Sequence, residues 1–144
     1  TNKVRQIVPF VHMIHSVDSV RLLEVINREA EKIGRRVKVL LEVHVAKEDT
    51  KSGFMPEEIT SLNTKLSTLN YIEICGIMGM ATNTEDVAEW RRCFREIKSL
   101  ASHLSPMASS PEISMGMSDD YLMAIEEGST MIRIGSTIFG ERQY

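Results

Sequence analysis

Two segments near the end of the chain combine small residues with groups that could hold a phosphate. Residues 113–120 read ISMGMSDD and residues 131–140 read MIRIGSTIFG. In each segment an apolar, strand-like run passes directly into glycine and serine, which lets backbone N–H groups and hydroxyls approach an anion. Two such loops at neighbouring strand ends are typical of the phosphate site of an α/β barrel. We therefore expect a phosphorylated cofactor here, while glycine and serine after a strand also mark ordinary turns.

The two loops supply the candidate phosphate ligands. Ser118 or Asp119 could cap the helix that we expect to begin near Asp120, which would place a positive helix end at the site. The candidates in the two loops are Ser114, Met115, Gly116, Met117, Ser118, Gly135 and Ser136.

Arg133 lies in the second of these apolar runs. A guanidinium buried in a strand needs a partner, because burial of an unpaired charge is prohibitive. Two partners are open at this stage: a bound cofactor, and a carboxylate inside the barrel such as Glu42.

Strand and helix patterns alternate along the whole chain without a linker. Strands separated by helices indicate a parallel sheet with right-handed crossovers, in which chemistry lies at the carboxyl ends of the strands. The predicted strands are 11–17, 38–45, 71–80, 112–115 and 131–134; the predicted helices are 20–33, 56–69, 84–104 and 120–127. Thr84 is the expected start of the long third helix.

Composition excludes several classes of function. The net charge is −3 with both signs interspersed, and no basic stripe is present, so nucleic-acid binding is not expected. No apolar run is long enough to span a membrane and no signal segment is evident, so we expect a cytoplasmic protein without membrane contact.

The histidines and cysteines do not form a metal-binding pattern. His12 and His15 would point to opposite faces of a strand, so we expect no metal site. Cys75 and Cys93 have no metal-ligand spacing and are predicted to be free thiols, buried or half-buried.

An ordered series of motifs carries a family resemblance. The motifs are residues 1–4, 15–19, 41–45, 50–54 and 76–78, followed by the two segments described above. In this order they resemble the pyridoxal-phosphate homeostasis protein family, which is related to the barrel domain of alanine racemase. The resemblance covers nearly the whole chain. It implies a (β/α)8 barrel that binds pyridoxal 5'-phosphate and helps to control its free level and the amino-acid balance, without an established turnover.

The resemblance also assigns expected roles to single residues. Arg133 would contact the pyridine nitrogen and keep it unprotonated, which makes the ring a poorer electron sink. His44 stands where asparagine is more usual and either touches the ring or fills the barrel mouth. Met78 either lies against the ring or belongs to the core. Ser136 replaces a threonine and keeps the hydroxyl, and Lys51 is either a solvated loop residue or part of the cofactor mouth.

Members of this family carry a Schiff-base lysine at the end of an early strand, followed by two more βα units. No lysine of this sequence matches that position. We therefore expect residues 1–144 to be the C-terminal part of a single barrel domain, about the last five βα units, because complete barrels of this type need roughly 200 residues or more. Such a partial barrel has two open sheet edges, which predicts self-association.

Two alternatives remain open. The first is a racemase-like enzyme that uses pyridoxal phosphate. Racemases of this fold add a second domain with a catalytic tyrosine, and the sequence stops four residues after Gly140, so we expect no racemase activity. The second alternative is an inert structural fragment that binds phosphate weakly.

Overall fold

The computed structural model describes residues 1–48, 52–62, 66, 68–104 and 108–140. Within these residues a parallel sheet has four strands that are neighbours in chain order. The strands are β1 (Met13–Val17), β2 (Val37–Val43), β3 (Ile72–Gly79) and β4 (Glu112–Ser114). The helices are α1 (Val4–Ile7), α2 (Val20–Lys32), α3 (Pro56–Ser61), α4 (Val87–Ser102), α5 (Tyr121–Glu126) and α6 (Ser136–Phe139).

This alternation confirms the predicted α/β class, a partial barrel of parallel strands. The fifth predicted strand, 131–134, is present only as a single bridge between Met131 and Ser114. The amide of Met115 donates to Met131 (3.1 Å), and the amide of Arg133 donates to Gly116 (2.9 Å). Gly116 has φ +98°, so the chain leaves the extended conformation there and the regular parallel ladder does not extend beyond the single bridge.

Helix starts differ from the sequence prediction in two places. The long helix α4 begins at Val87 and not near Thr84, because Asp86 is the residue that caps it, accepting from the Ala88 amide at 2.9 Å. The prediction that Ser118 or Asp119 caps α5 was also wrong. Asp120 is the N-cap residue and makes no side-chain capping bond; its carboxylate accepts from the Met117 amide instead, at 2.6 Å.

Other helix differences are smaller. Helix α3 starts at Pro56 as predicted and has its last residue at Ser61, while residues 63–65 and 67 of the predicted helix lie outside the described residues. The short helices α1 and α6 were not predicted, since four residues are too few to show a helical period.

The core lies between one face of the sheet and the helices α2 and α4. Alternate strand residues such as Val39 and Leu41 point into it, since strand side chains alternate between faces. Fully buried members from the sheet and helices are Val17, Leu23, Ile26, Ile77, Phe94 and Ile97, and Leu104 joins them just after α4. Leu40 and Met78 are buried as well, but they lie on the opposite face, the inner face of the barrel.

The described residues contain no helix long and apolar enough to cross a membrane. In the same part of the chain, no three histidine, cysteine, aspartate or glutamate side chains group together as they would around a metal ion. Cys75 is half-buried and Cys93 is buried, and both are unpaired, as predicted.

Candidate anion and cofactor site

The register of the sheet brings polar residues from different strands together at its carboxyl edge. Glu42 pairs with Met78, and Met78 pairs with Ser114. Paired residues of neighbouring strands point to the same face, so these three side chains form a row on the inner face. Glu42 is 6% exposed and Ser114 is fully buried. Buried polar groups need hydrogen-bond partners, and the residues that bond to Glu42 and Ser114 make up the candidate site.

Arg133 supplies the centre of the site. Its Nη1 donates to the Ser114 hydroxyl at 2.7 Å, and its Nη2 donates to the Gly79 carbonyl at 3.1 Å. Within the described residues no carboxylate lies in ion-pair distance of Arg133. Burial lowers the pKa of Arg133, and the charges of Asp120 and Glu42 act against that shift. The guanidinium is thus fixed by a hydroxyl and a carbonyl.

The ion pair with Glu42, one of the two open interpretations of Arg133, is not formed. The Glu42 carboxylate accepts instead from the Ser52 hydroxyl, at 2.9 Å. Of the two partners considered for Arg133, the cofactor therefore remains as a prediction.

His15 completes the cluster, and its role was not predicted. Its Nδ1 lies 3.1 Å from the Ser114 hydroxyl oxygen. Because that oxygen accepts from Arg133, the hydroxyl proton is free to be donated to Nδ1, which holds the imidazole in its neutral form. Burial lowers the pKa of His15, and the charge of Arg133 lowers it further. His15 lies within β1, inside the predicted strand 11–17, but its partner is 99 residues away in sequence.

The two predicted phosphate loops do meet. The Ser118 hydroxyl accepts from the amide of Gly135 and from the amide of Thr137, each at 3.3 Å. Two backbone donors from the second loop therefore converge on one oxygen of the first loop, as they would on a phosphate oxygen. Gly135 is exposed, and a Cβ added to it would meet nothing within 4 Å, so this face is open to a ligand. Ser136 follows directly and is also exposed.

Other candidates in the first loop serve its packing. Met115 is fully buried in the core. A Cβ on Gly116 would lie 2.7 Å from the Ala124 Cβ, so this residue allows α5 to approach the loop. Met117 is 41% exposed, with its amide bonded to Asp120. Contact of these residues with a cofactor stays a prediction.

His44 and Met78 lie at the ends of the two central strands. His44 is half-buried just after β2, and its amide donates to Phe54 at 2.9 Å. Met78 is 5% exposed, between Glu42 and Ser114 in the inner row. Met78 thus lies beside Ser114, whose hydroxyl accepts from Arg133, and His44 lies at the same carboxyl edge of the sheet. Contact of either side chain with a cofactor stays a prediction. Lys51 lies outside the described residues.

Comparison with known proteins gives a consistent result. The family model "Alanine racemase, N-terminal domain" matches residues 2–143. The pyridoxal phosphate homeostasis protein of Aquifex aeolicus is 38% identical over 146 residues, covering 100% of this chain and 64% of the relative. The human protein of the same name is 35% identical, covering 95% and 53%. The chain thus spans less than two thirds of the length of these relatives.

Solved structures show the same fold. PipY of Synechococcus elongatus, in a structure with PLP bound, has a TM-score of 0.87 and 35% identity, covering 96% of this chain and 66% of PipY. An alanine racemase of Clostridium difficile has a TM-score of 0.75 at 19% identity, covering 99% and 37%. At that identity the racemase supports the fold alone.

Proposed function

This chain belongs to the alanine racemase N-terminal domain family, and from that premise we propose that its protein binds pyridoxal 5'-phosphate and serves in its homeostasis. The observation that carries the proposal is the convergence of the Gly135 and Thr137 amides on the Ser118 hydroxyl oxygen. Two relatives named above are pyridoxal phosphate homeostasis proteins, and PipY has been solved with PLP bound. The activity of the whole protein is part of the same proposal.

The phosphate end of the cofactor would lie between the two loops. The amides of Gly135 and Thr137 and the hydroxyls of Ser118 and Ser136 are the groups that would bind it. Hydrogen bonds to a charged acceptor contribute roughly 1.5–3 kcal/mol each, so a few of them suffice for specific binding. In this proposal Ser114, through its hydroxyl, holds the neighbouring Arg133 in place.

The ring end would face Arg133, with His44 and Met78 beside it. A guanidinium donates hydrogen bonds and cannot accept one, so it would leave the pyridine nitrogen unprotonated. The cofactor itself supplies an aldehyde and an electron-accepting ring, and an unprotonated ring accepts electrons poorly. This combination favours storage and delivery of the cofactor over turnover.

Three further parts of the proposal concern the protein as a whole. We propose that residues 1–144 are the C-terminal part of one barrel domain and that the chain associates through its sheet edges.

Exposed apolar side chains support the association. Large ones are exposed outside the core, with Phe10 at 74%, Ile138 at 67% and Phe139 at 85%. The unpaired Cys75 and Cys93 are compatible with a reducing compartment such as the cytoplasm. Light scattering that shows a stable, dilute monomer would contradict the association.

The test of the proposed site is calorimetry of pyridoxal 5'-phosphate binding to two variants at Gly135. Gly135→Asp places a carboxylate in the open space beside the converging amides, so we expect binding to be lost through charge repulsion. Gly135→Asn has nearly the same bulk without the charge and should retain more affinity. Lys98→Ala, on α4, is the control and should bind like the wild type. Equal affinity of Gly135→Asp and Lys98→Ala would place the phosphate elsewhere.

A further inference from the structure

Glu89 joins two loops at the rim of the candidate site. The rim loops are residues 45–48, which follow His44, and residues 80–86, which follow Gly79. Glu89 lies in the first turn of α4 and is 7% exposed. Its carboxylate accepts from the Thr82 hydroxyl at 2.8 Å, from Lys47 Nζ at 2.9 Å, and from Arg92 at 2.8 and 3.1 Å. One carboxylate thus contacts both rim loops and its own helix.

Thr82 extends this contact to the backbone. Its hydroxyl proton is donated to Glu89, so its oxygen is left to accept, and it accepts from the Lys47 amide at 3.1 Å. In return the Asn83 amide donates to the Glu48 carboxylate at 2.6 Å. Arg92, held by Glu89, donates to the Val45 carbonyl at 2.8 Å. Each rim loop therefore donates a main-chain amide to a side chain of the other.

Each rim loop directly follows a residue of the candidate site in the chain. The first follows His44 directly, and the second follows Gly79, whose carbonyl accepts from Arg133. The hydrogen bonds from Arg92, Lys47 and Thr82 hold the pKa of Glu89 well below its ordinary value. The carboxylate is therefore charged at neutral pH. Its neutral amide isostere, Gln, would keep the shape and weaken all of these bonds.

We propose that Glu89 is a positioning residue that fixes the two rim loops, and through them His44 and the Gly79 carbonyl, for cofactor binding. The part that concerns the cofactor rests on the proposed function. The fixing of the loops does not, because it is a property of the protein without ligand.

The test compares Glu89→Gln and Thr82→Val with Glu96→Gln in the 144-residue chain. Glu96 lies on the same helix and accepts from the same arginine, at 2.7 Å, but contacts neither rim loop. Amide hydrogen exchange at Lys47 and Asn83 is measured in each variant, with Leu40 and Ile77 as core references. We expect about tenfold faster exchange at the two loop amides in Glu89→Gln, because the bonds from both loops to the Glu89 carboxylate are weakened. We expect the same in Thr82→Val, because the acceptor of the Lys47 amide and one bond to Glu89 are lost. The core amides and the Glu96→Gln variant should be unchanged.

Affinity for pyridoxal 5'-phosphate is then measured in the same proteins, and we expect it to fall severalfold in Glu89→Gln and Thr82→Val alone. Unchanged exchange at Lys47 and Asn83, or acceleration at core and loop amides alike, overturns the loop-fixing role. Local acceleration with unchanged affinity overturns the positioning role. A wild-type chain that does not bind the cofactor overturns the proposed function, while exchange still decides whether Glu89 fixes the loops.

Discussion

Replacing Gly116 by alanine should destabilise the chain through two separate effects. The residue has φ +98°, a conformation that side chains with a Cβ rarely adopt. The added Cβ would also lie 2.7 Å from the Ala124 Cβ and 3.0 Å from the Tyr121 Cα. Neither neighbour can turn away, because one is a side chain with no rotatable bond and the other belongs to the backbone of α5.

The magnitude follows from these two effects. Backbone strain of this kind costs roughly 1–3 kcal/mol. Overpacking in a buried position costs roughly another 1–3 kcal/mol. The sum, about 2–6 kcal/mol, is a large part of the stability of an ordinary domain, which is about 5–15 kcal/mol. At roughly 2–4 °C per kcal/mol, the melting temperature should fall by at least about 4 °C.

Two other glycines separate the effects in thermal and urea denaturation. Gly34 has φ +62° with nothing within 4 Å of an added Cβ, so Gly34→Ala should show the strain alone, about 1 kcal/mol. Gly135 has a negative φ and open space around an added Cβ, so Gly135→Ala has neither effect and should lower stability the least of the three. If Gly116→Ala is no less stable than Gly34→Ala, the packing of α5 against this loop has been misjudged. A stable Gly116→Ala chain that loses cofactor binding would instead assign Gly116 to the ligand.

Three further outcomes are expected. Burial raises the pKa of Asp120, so the ionised carboxylate lowers the stability of the folded chain as the pH rises above 3.8. Asp120→Asn should therefore raise the urea midpoint at pH 7, and this gain should vanish below pH 3.8. A lower midpoint at pH 7 would contradict this. Burial lowers the pKa of His15, so stability should fall as the pH drops below 6.5, and His15→Gln should flatten this part of the curve; an unchanged slope would refute the contribution. Borohydride reduction after incubation with pyridoxal phosphate should leave no stoichiometric lysine adduct, and one fully modified lysine would show that a Schiff base forms within this chain.

The order of elements could be predicted because it depends on local patterns. Runs of β-branched residues such as 37–43 and an apolar helical stripe such as that of α2 carry their own period. Choices between neighbouring caps could not be settled this way, since Thr84 and Asp86 offer the same chemistry and backbone geometry decides between them. The predicted strand at 131–134 is reduced to a single bridge, because β4 ends at Ser114 and the chain turns at Gly116.

The same distinction between local patterns and long-range contacts applies to the candidate site. Glycine and serine after apolar runs identified Ser118 and Gly135, and the structure brings these two residues together. The partners of Arg133 are 19 and 54 residues away in sequence and depend on strand register, which a pattern does not contain. His15 was missed as a partner of Ser114 for that reason, and Glu89 because its partners lie on two other loops.

In the proposed site, residues 113–120 and 131–140 together hold the phosphate of pyridoxal 5'-phosphate. The most direct measurement is a crystal structure of the chain grown with that cofactor. We expect density for the phosphate within hydrogen-bond distance of the Gly135 and Thr137 amides, with the pyridine nitrogen facing Arg133. Density for the cofactor at any other place, or none at saturating concentration, would contradict it.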